Sequence, residues 1–274
     1  MTDVREEVSV SERRELLAAA LDFADLCAKT TASIMKSGFD VSKKDDASLV
    51  TTADVETERV FRVGIQERFP SMGLLGEELG ESNEGADFRW IIDPIDGTAE
   101  FARHLPVYGC IIGLYYKDEP LLGVIDHQGM GVRSHGAYGL GAFTNNTPLR
   151  IEDCNPGESG AAARIGLPSL ASFLRPSDAS AVFRAVVEAY PNFRVYHTCY
   201  AHTLVASGGL DASMEWQTPL WDLAATQILI EEAGGHYGSI QSSEGSGKKR
   251  LFSAVFGKPA IVARLTEIIE NTLG

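Results

Sequence analysis

The sequence predicts a layered α/β protein (α/β by layering, α+β by order of elements), on three observations. Two helical stretches open the chain, short apolar runs fill Gly73 to Ile151, and strands then alternate with helices to the end. Ser9 followed by Glu12 has capping-box spacing, so the alanine- and leucine-rich stretch after it reads as a long helix to about Met35, ending near Gly38. A polar loop then leads into a second helix, with Phe61, Ile65 and Phe69 on one apolar stripe and Pro70 closing it. MGLLGEE, RWIID, GCIIGLYY and LLGVID, broken by glycine, proline and charged turns, read as a sheet. Beyond them strands are expected at ARIGLP, FRVYH and LDASMEW. Helices are expected at Ala179 to Ala189, through AHTLVASGG, from Pro219 to Ala233, and over IVARLTEIIENTL. No internal repeat, low-complexity tract or long linker interrupts this order.

At 274 residues and 44% hydrophobic composition the chain can bury a large core, as one big domain or two interleaved halves. The formal charge of -14, with no stripe of lysine and arginine, argues against nucleic-acid and anionic-membrane partners. Four cysteines (Cys27, Cys110, Cys154, Cys199) lack CxxC spacing, which fits a reducing compartment. The charged N-terminus has no signal-peptide core and no apolar run reaches membrane-spanning length, so a cytoplasmic location is expected.

The chemistry concentrates in Trp90 to Thr98, WIIDPIDGT. Its apolar start is strand-like and brings Asp93 to the strand end, where Pro94 breaks the ladder and a turn is expected. Three residues on, Asp96 can face the same point in a tight helical turn, with the Ile95 carbonyl between them. Gly97 permits close approach of a ligand, and Thr98 opens a helix through Glu100 and Phe101, where free N–H groups favour phosphate. Asp-Pro and Asp-Gly are also ordinary turn pairs, but six consecutive suitable residues after a buried strand outweigh that reading. A haloacid dehalogenase nucleophile pair would stand two residues apart, without the intervening proline. The second informative stretch, WDLAATQILIEEAGG from Trp221 to Gly235, reads as a helix with Asp222 in its first turn, where the helix dipole favours a carboxylate whatever its task.

WIIDPIDGT together with WDLAATQILIEEAGG resembles the two signature motifs of the inositol monophosphatase family, and Gly76-Glu77-Glu78 and Thr52-Ala53-Asp54 match in order. The resemblance runs from about the first helix to the last. It implies an αβαβα sandwich, inositol monophosphatase/fructose bisphosphatase-like, with Mg²⁺ dependence, lithium sensitivity and a homodimer. It also implies a division into an N-terminal α+β half, 1–150, with most metal ligands, and a C-terminal half, 151–274, with Asp222 and the substrate pocket. Carried over, Glu77, Asp93 and the Ile95 carbonyl hold one metal and Asp93, Asp96 and Asp222 a second, with Glu77 touching a looser third ion. Gly97 and Thr98 hold the phosphate, with Asp96 and Asp222 beside it, and Thr98, bonded to Asp54, orients the attacking water with Glu77. Glu215 reads a substrate hydroxyl or amine, or else is an exposed strand-end residue without a charged partner.

Elementary electrostatics agrees. Like charges about 4 Å apart repel by roughly 4 kcal/mol at an effective dielectric near 20, so Asp54, Glu77, Asp93, Asp96 and Asp222 cannot converge ionised without cations. Hard oxygen ligands and a phosphate partner favour Mg²⁺ over zinc.

The expected substrate is a small phosphorylated metabolite. TCYAHTLVASGGLDASME and GVID resemble the histidinol-phosphate phosphatase branch, whereas Trp221-Asp222 and EEAGG resemble the inositol branch, and GTAEF departs from the GTxNF common in inositol enzymes. Nucleotide bisphosphates and fructose bisphosphate are lesser options. A regulatory binding protein that keeps the fold without catalysis is the alternative of another class. GAYGLGAF reads as a β-hairpin turn rather than a dinucleotide loop, the histidines as mostly loop or surface residues, with His202 able to line the pocket, and Glu231-Glu232 as a solvated helix face.

Overall fold

The computed structural model describes residues 3–44, 47–154, 162–173, 177–244 and 250–274. Helix α1 (Val10–Ser37) starts at Ser9, whose hydroxyl accepts the Glu12 N–H, and stops at Gly38 with φ 92°. A two-stranded ribbon of β1 (Val41–Lys43) and β2 (Leu49–Thr51) leads into α2 (Thr52–Arg68). Phe61 and Ile65 are buried as the spacing predicts, but Phe69 is the C-cap residue with φ -136°, one position past the helix. The stripe itself holds, since Phe69 still packs with Phe23 and Trp90 against the core that Phe61 and Ile65 join.

An eight-stranded sheet follows, ordered β10-β9-β8-β7-β6-β5-β3-β4. Its strands are β3 (Gly73–Gly76), β4 (Gly80–Ser82), β5 (Phe88–Asp96), β6 (Gly109–Tyr116), β7 (Glu119–His127), β8 (Val132–Ala137), β9 (Gly141–Thr144) and β10 (Thr147–Pro148). The four-residue helix α3 (Thr98–Phe101) sits between β5 and β6. GAYGLGAF is the β8–β9 hairpin, pairing Ala137 with Gly141.

The second sheet has five strands, ordered β12-β11-β13-β15-β14. They are β11 (Ile165–Leu167), β12 (Phe193–Val195), β13 (Ala212–Pro219), β14 (His236–Glu244) and β15 (Arg250–Gly257), with helices α4 (Ser177–Ala189), α5 (Tyr200–Ala206), α6 (Leu220–Leu223), α7 (Thr226–Glu232) and α8 (Pro259–Leu273). The β14–β15 pair has no counterpart among the sequence expectations, which pass from the Gly234-Gly235 stop to the last helix.

Alternation along the strands separates the layers. Trp90, Ile92 and Ile112 face α1 and α2, joining Phe23 and Phe61, while Ile91 and Ile111 point the other way into a middle layer with Leu223, Leu229 and Phe256. On β15, Phe256 faces that middle layer and Val255 the outer one, with Val186, Val262 and Leu265 of α4 and α8. The stack is helices, sheet, helices, sheet, helices: a layered αβαβα sandwich.

The helix expected from Pro219 to Ala233 breaks at Ala224-Ala225 into α6 and α7. The cause is contact with the first sheet. A Cβ on Gly113 would lie 2.5 Å from the Ala224 carbonyl oxygen, and one on Gly123 would lie 2.6 Å from the Ala225 Cα. The broken backbone rests directly on β6 and β7, and this close approach fixes the height of Asp222 above the sheet. Glu231 and Glu232 are not a solvated face. Glu231 Oε2 accepts from Arg5 Nη1 at 3.2 Å, and the Glu232 carboxylate accepts the Gly139 and Gly141 N–H groups at 2.8 and 2.7 Å, tying α7 to the β8–β9 turn.

Candidate active site

Strand β5 does not end at Asp93. It runs through Pro94 to Asp96, and the pairing with β6 moves from Asp93↔Ile111 to Asp96↔Gly109. Three steps on β5 match two on β6, which is a bulge. Residues three apart on a regular strand face opposite sides. The extra residue restores the phase, so Asp93 and Asp96 face the same side as Ile111 and Gly109. A bulged strand therefore does what a tight helical turn was expected to do. Pro94 sits in the disrupted stretch, where its missing N–H breaks no ladder bond.

Gly97 follows with φ 91°, and a Cβ there would meet Thr198 Cγ2 at 2.7 Å, so both conformation and space require glycine. Thr98 then opens α3, and its hydroxyl hydrogen is shared between Asp54 Oδ1 at 3.0 Å and the Ile95 carbonyl at 3.1 Å. Asp54 is fully buried in the first turn of α2. Its other oxygen accepts the Thr51 N–H at 2.8 Å and the Thr51 hydroxyl. Burial raises the Asp54 pKa against the lowering effect of those bonds.

Glu77, Asp93, Ile95, Asp96, Gly97, Thr98 and Asp222 line one pocket. Asp93 is 2% exposed, and its pKa is pushed well up by burial first and then by the charges of Glu77, Asp96, Asp222 and Asp54. Burial and the same repulsion push Asp222 up, although Thr218 Oγ1 donates to its Oδ2 at 2.5 Å. Asp96 is raised by burial, offset by the Cys199 N–H that donates to it. Four separate segments thus aim like charges at one place.

Among the described residues, no three His, Cys, Asp or Glu side chains close into a preformed metal cluster. Glu77 turns instead to Lys44, whose Nζ lies 2.7 Å from both Glu77 Oε1 and Glu78 Oε1. Burial lowers the Lys44 pKa, but the two carboxylates outweigh it and the net shift is upward; burial and the Glu77 charge push Glu78 up to about 7. The donor set nonetheless fits a hard divalent cation: carboxylate and carbonyl oxygens whose mutual repulsion only positive charge relieves.

The pocket continues into a second one, sharing Asp96, His197 and Asp222 and adding Cys199, His202, Glu215, Gln217 and Thr218. Glu215 is not an exposed strand-end residue. It lies in β13, its side chain is 13% exposed, and Oε1 stands 3.2 Å from His202 Nε2. Here too a bulge aims the strand. Glu215 pairs with Ala254 and Thr218 with Phe252, and Gln217 takes φ 52° with its N–H on Ser253 Oγ at 3.0 Å. Both sheets therefore reach the site through a bulged strand.

Sequence reasoning passed over several contributors. Glu58, fully buried on α2, accepts the Glu78 N–H at 2.7 Å and the Leu79 N–H at 3.1 Å, fixing the turn that presents Glu77. Lys44, His197 and Thr218 carry no local signal. Thr51 did carry one, since Thr51 and Asp54 have capping-box spacing and form the box. His202 lines the second pocket as expected, but His127 is not a loop or surface residue: it is buried and bridges the Tyr108 carbonyl and Thr203 Oγ1 at 3.1 and 2.9 Å.

Comparison with known proteins identifies the family. The family model of the inositol monophosphatase family matches residues 12–269. A histidinol-phosphatase of Chlorobaculum parvum is 34% identical over 220 residues, 80% of this chain and 83% of that one. An inositol-1-monophosphatase of Rhizobium meliloti is 31% identical over 236 residues, 85% of this chain and 87% of that one. In fold, the IMPase of Thermotoga maritima superposes with a TM-score of 0.79 at 23% identity, covering 94% of this chain and 98% of that one. With Glu77, Asp93, Asp96 and Asp222 lining a pocket beside a threonine-headed turn and a match across both sheets, the chain belongs to the inositol monophosphatase family and is a phosphoric monoester hydrolase of small phosphate esters.

Proposed function

We propose that this chain hydrolyses inositol monophosphate or histidinol phosphate with Mg²⁺ and water. The observation that carries the reading is the convergence of Glu77, Asp93, Asp96, Thr98 and Asp222 on one pocket that opens into a second pocket containing Glu215. Glu77, Asp93 and the Ile95 carbonyl would hold one ion, and Asp93, Asp96 and Asp222 another, and Glu77 would also touch a looser third. When bound, these ions would neutralise the phosphate and make a water more acidic. Gly97 and Thr98 would seat the phosphoryl group. Thr98, anchored by Asp54, and Glu77 would orient the water opposite the departing alcohol. Glu215 would contact that alcohol. A homodimer in the cytoplasm completes the reading, the location fitting four cysteines that are all free.

The test is a panel of inositol 1-phosphate, histidinol phosphate, fructose bisphosphate and adenosine bisphosphate, each with and without lithium. Phosphate release is expected on adding Mg²⁺, abolished in Asp93→Asn and suppressed by lithium. A Mg²⁺-titrated protein inert across the whole panel would overturn this reading in favour of a regulatory binding protein. Glu215→Gln is expected to change preference among the esters while sparing p-nitrophenyl phosphate. Equal loss on every ester would make that residue structural.

A further inference from the structure

Behind the alcohol-side pocket stands a directed chain of hydrogen bonds that hydrolysis itself does not use. His202 of α5 is 3% exposed, with its ring edge-on to Phe256 at 5.0 Å between centroids. Its Nε2 lies 3.2 Å from Glu215 Oε1 and its Nδ1 lies 2.9 Å from Thr226 Oγ1. A carboxylate only accepts, so Nε2 carries the hydrogen. In a neutral imidazole Nδ1 then accepts, and the Thr226 hydroxyl donates to it. Donation runs from Thr226 to His202 to Glu215. Glu215 Oε1 is thereby occupied, while no hydrogen bond among the described residues engages Oε2.

We propose that Thr226, acting through His202, is a positioning residue for substrate specificity. With Glu215 already requiring the Nε2–H tautomer, the Thr226 hydroxyl donates to Nδ1 and holds the ring in place, so that Nε2–H grips Glu215 by one oxygen and leaves the other to accept from a hydroxyl or ammonium group on the alcohol part of the ester. The assignment deepens the phosphomonoesterase reading and rests on it. The physical need is clear from the neighbours. Glu215 shares its pocket with Asp96 and Asp222, so an unheld carboxylate would swing away from like charge. A neutral donor restrains it without neutralising it. Thr226 does not line either pocket, yet it begins α7 just past the break that follows Asp222. One short segment thus sets both the hydrolytic carboxylate and the imidazole behind the specificity carboxylate.

The experiment compares the wild-type enzyme with Thr226→Val, which keeps the shape and removes the hydroxyl, and Thr226→Ser, which restores it. The first readout is the ratio of kcat/KM for inositol 1-phosphate or histidinol phosphate, whichever is turned over faster, to that for p-nitrophenyl phosphate, which offers no donor at Glu215. The ratio is expected to fall about tenfold in the valine variant, the effect of roughly one hydrogen bond, through KM rather than kcat, and to recover within about twofold in the serine variant. The second readout is the long-range ¹H–¹⁵N spectrum of the imidazoles at neutral pH. It is expected to show His202 as the Nε2–H tautomer in all three forms, with the Nδ1 resonance shifted in the valine form, where the hydroxyl's hydrogen bond is gone, and restored in the serine form. An unchanged ratio in Thr226→Val, or an Nδ1–H or doubly protonated His202 in the wild type, overturns the proposal. Failure of the underlying reading looks different: the wild-type protein with Mg²⁺ would release phosphate from none of the three esters, and the specificity role would fall with it whatever the tautomer.

Discussion

Gly76→Ala tests whether the turn behind Glu77 is held by the buried carboxylate of Glu58. A Cβ at position 76 would lie 2.1 Å from Glu58 Oε1, 2.3 Å from its Cδ and 2.7 Å from Oε2. Bringing the closest atom out to ordinary contact at 3.4 Å requires about 1.3 Å of movement (3.4 less 2.1). Glu58 is fully buried, accepts two backbone N–H groups at 2.7 and 3.1 Å, and meets Arg62 Nη2 at 2.7 Å, so that displacement breaks bonds to a charged acceptor. Such bonds contribute about 1.5–3 kcal/mol each and overpacking costs about 1–3 kcal/mol, so with partial relaxation the expected loss is about 3 kcal/mol. In a chain of this size that lowers Tm by roughly 6–12 °C, read by circular dichroism, and phosphate release falls as Glu77 loses its support. The double variant Glu58→Ala with Gly76→Ala decides the cause. Once the carboxylate is gone, the added methyl should destabilise little beyond Glu58→Ala alone, a coupling readable in a double-mutant cycle. A single Gly76→Ala variant within about 2 °C of wild type and fully active would refute the reasoning.

Asp93→Asn should lower phosphate release at least about a hundredfold, beyond the 10–100-fold typical of losing an outer-shell partner, while raising Tm in EDTA because it removes one charge from a repelling cluster. A fall in that Tm would show that the cluster is not under electrostatic strain. The pH dependence has a definite sign. Asp54, Asp93, Asp96, Asp222 and Glu78 all have pKa values raised in the folded chain, Glu78 to about 7, so the stability they contribute in EDTA is present at low pH and lost as pH rises through those values. Tm in EDTA should therefore fall from pH 6 to pH 8, and saturating Mg²⁺ should flatten the slope, which scanning calorimetry measures. Gly113→Ala places a methyl 2.5 Å from the Ala224 carbonyl oxygen. It should destabilise by about 1–3 kcal/mol in urea unfolding and reduce activity by lifting α6 with Asp222.

The order of residues alone determined the first helix, because amphipathic spacing, the Ser9 cap and the Gly38 stop are local events that need no partner. It also pointed to the acidic residues that the fold gathers at one pocket, since WIIDPIDGT and the Trp221-Asp222 segment are contiguous motifs. The tertiary structure decided how they meet. Bulges at Pro94-Ile95 and before Thr218 arise from pairing with β6 and β15, strands distant in sequence, and no local pattern specifies which residue of a strand is left unpaired. The break at Ala224-Ala225 likewise reflects Gly113 and Gly123, about a hundred residues upstream, whose missing side chains let a helix backbone settle on the sheet. Lys44 beside Glu77, Glu58 beneath the same turn, and His202 between Glu215 and Thr226 are side-chain meetings across layers. Packing creates them, because a charged or polar group becomes committed to one partner only when burial has removed water as the alternative.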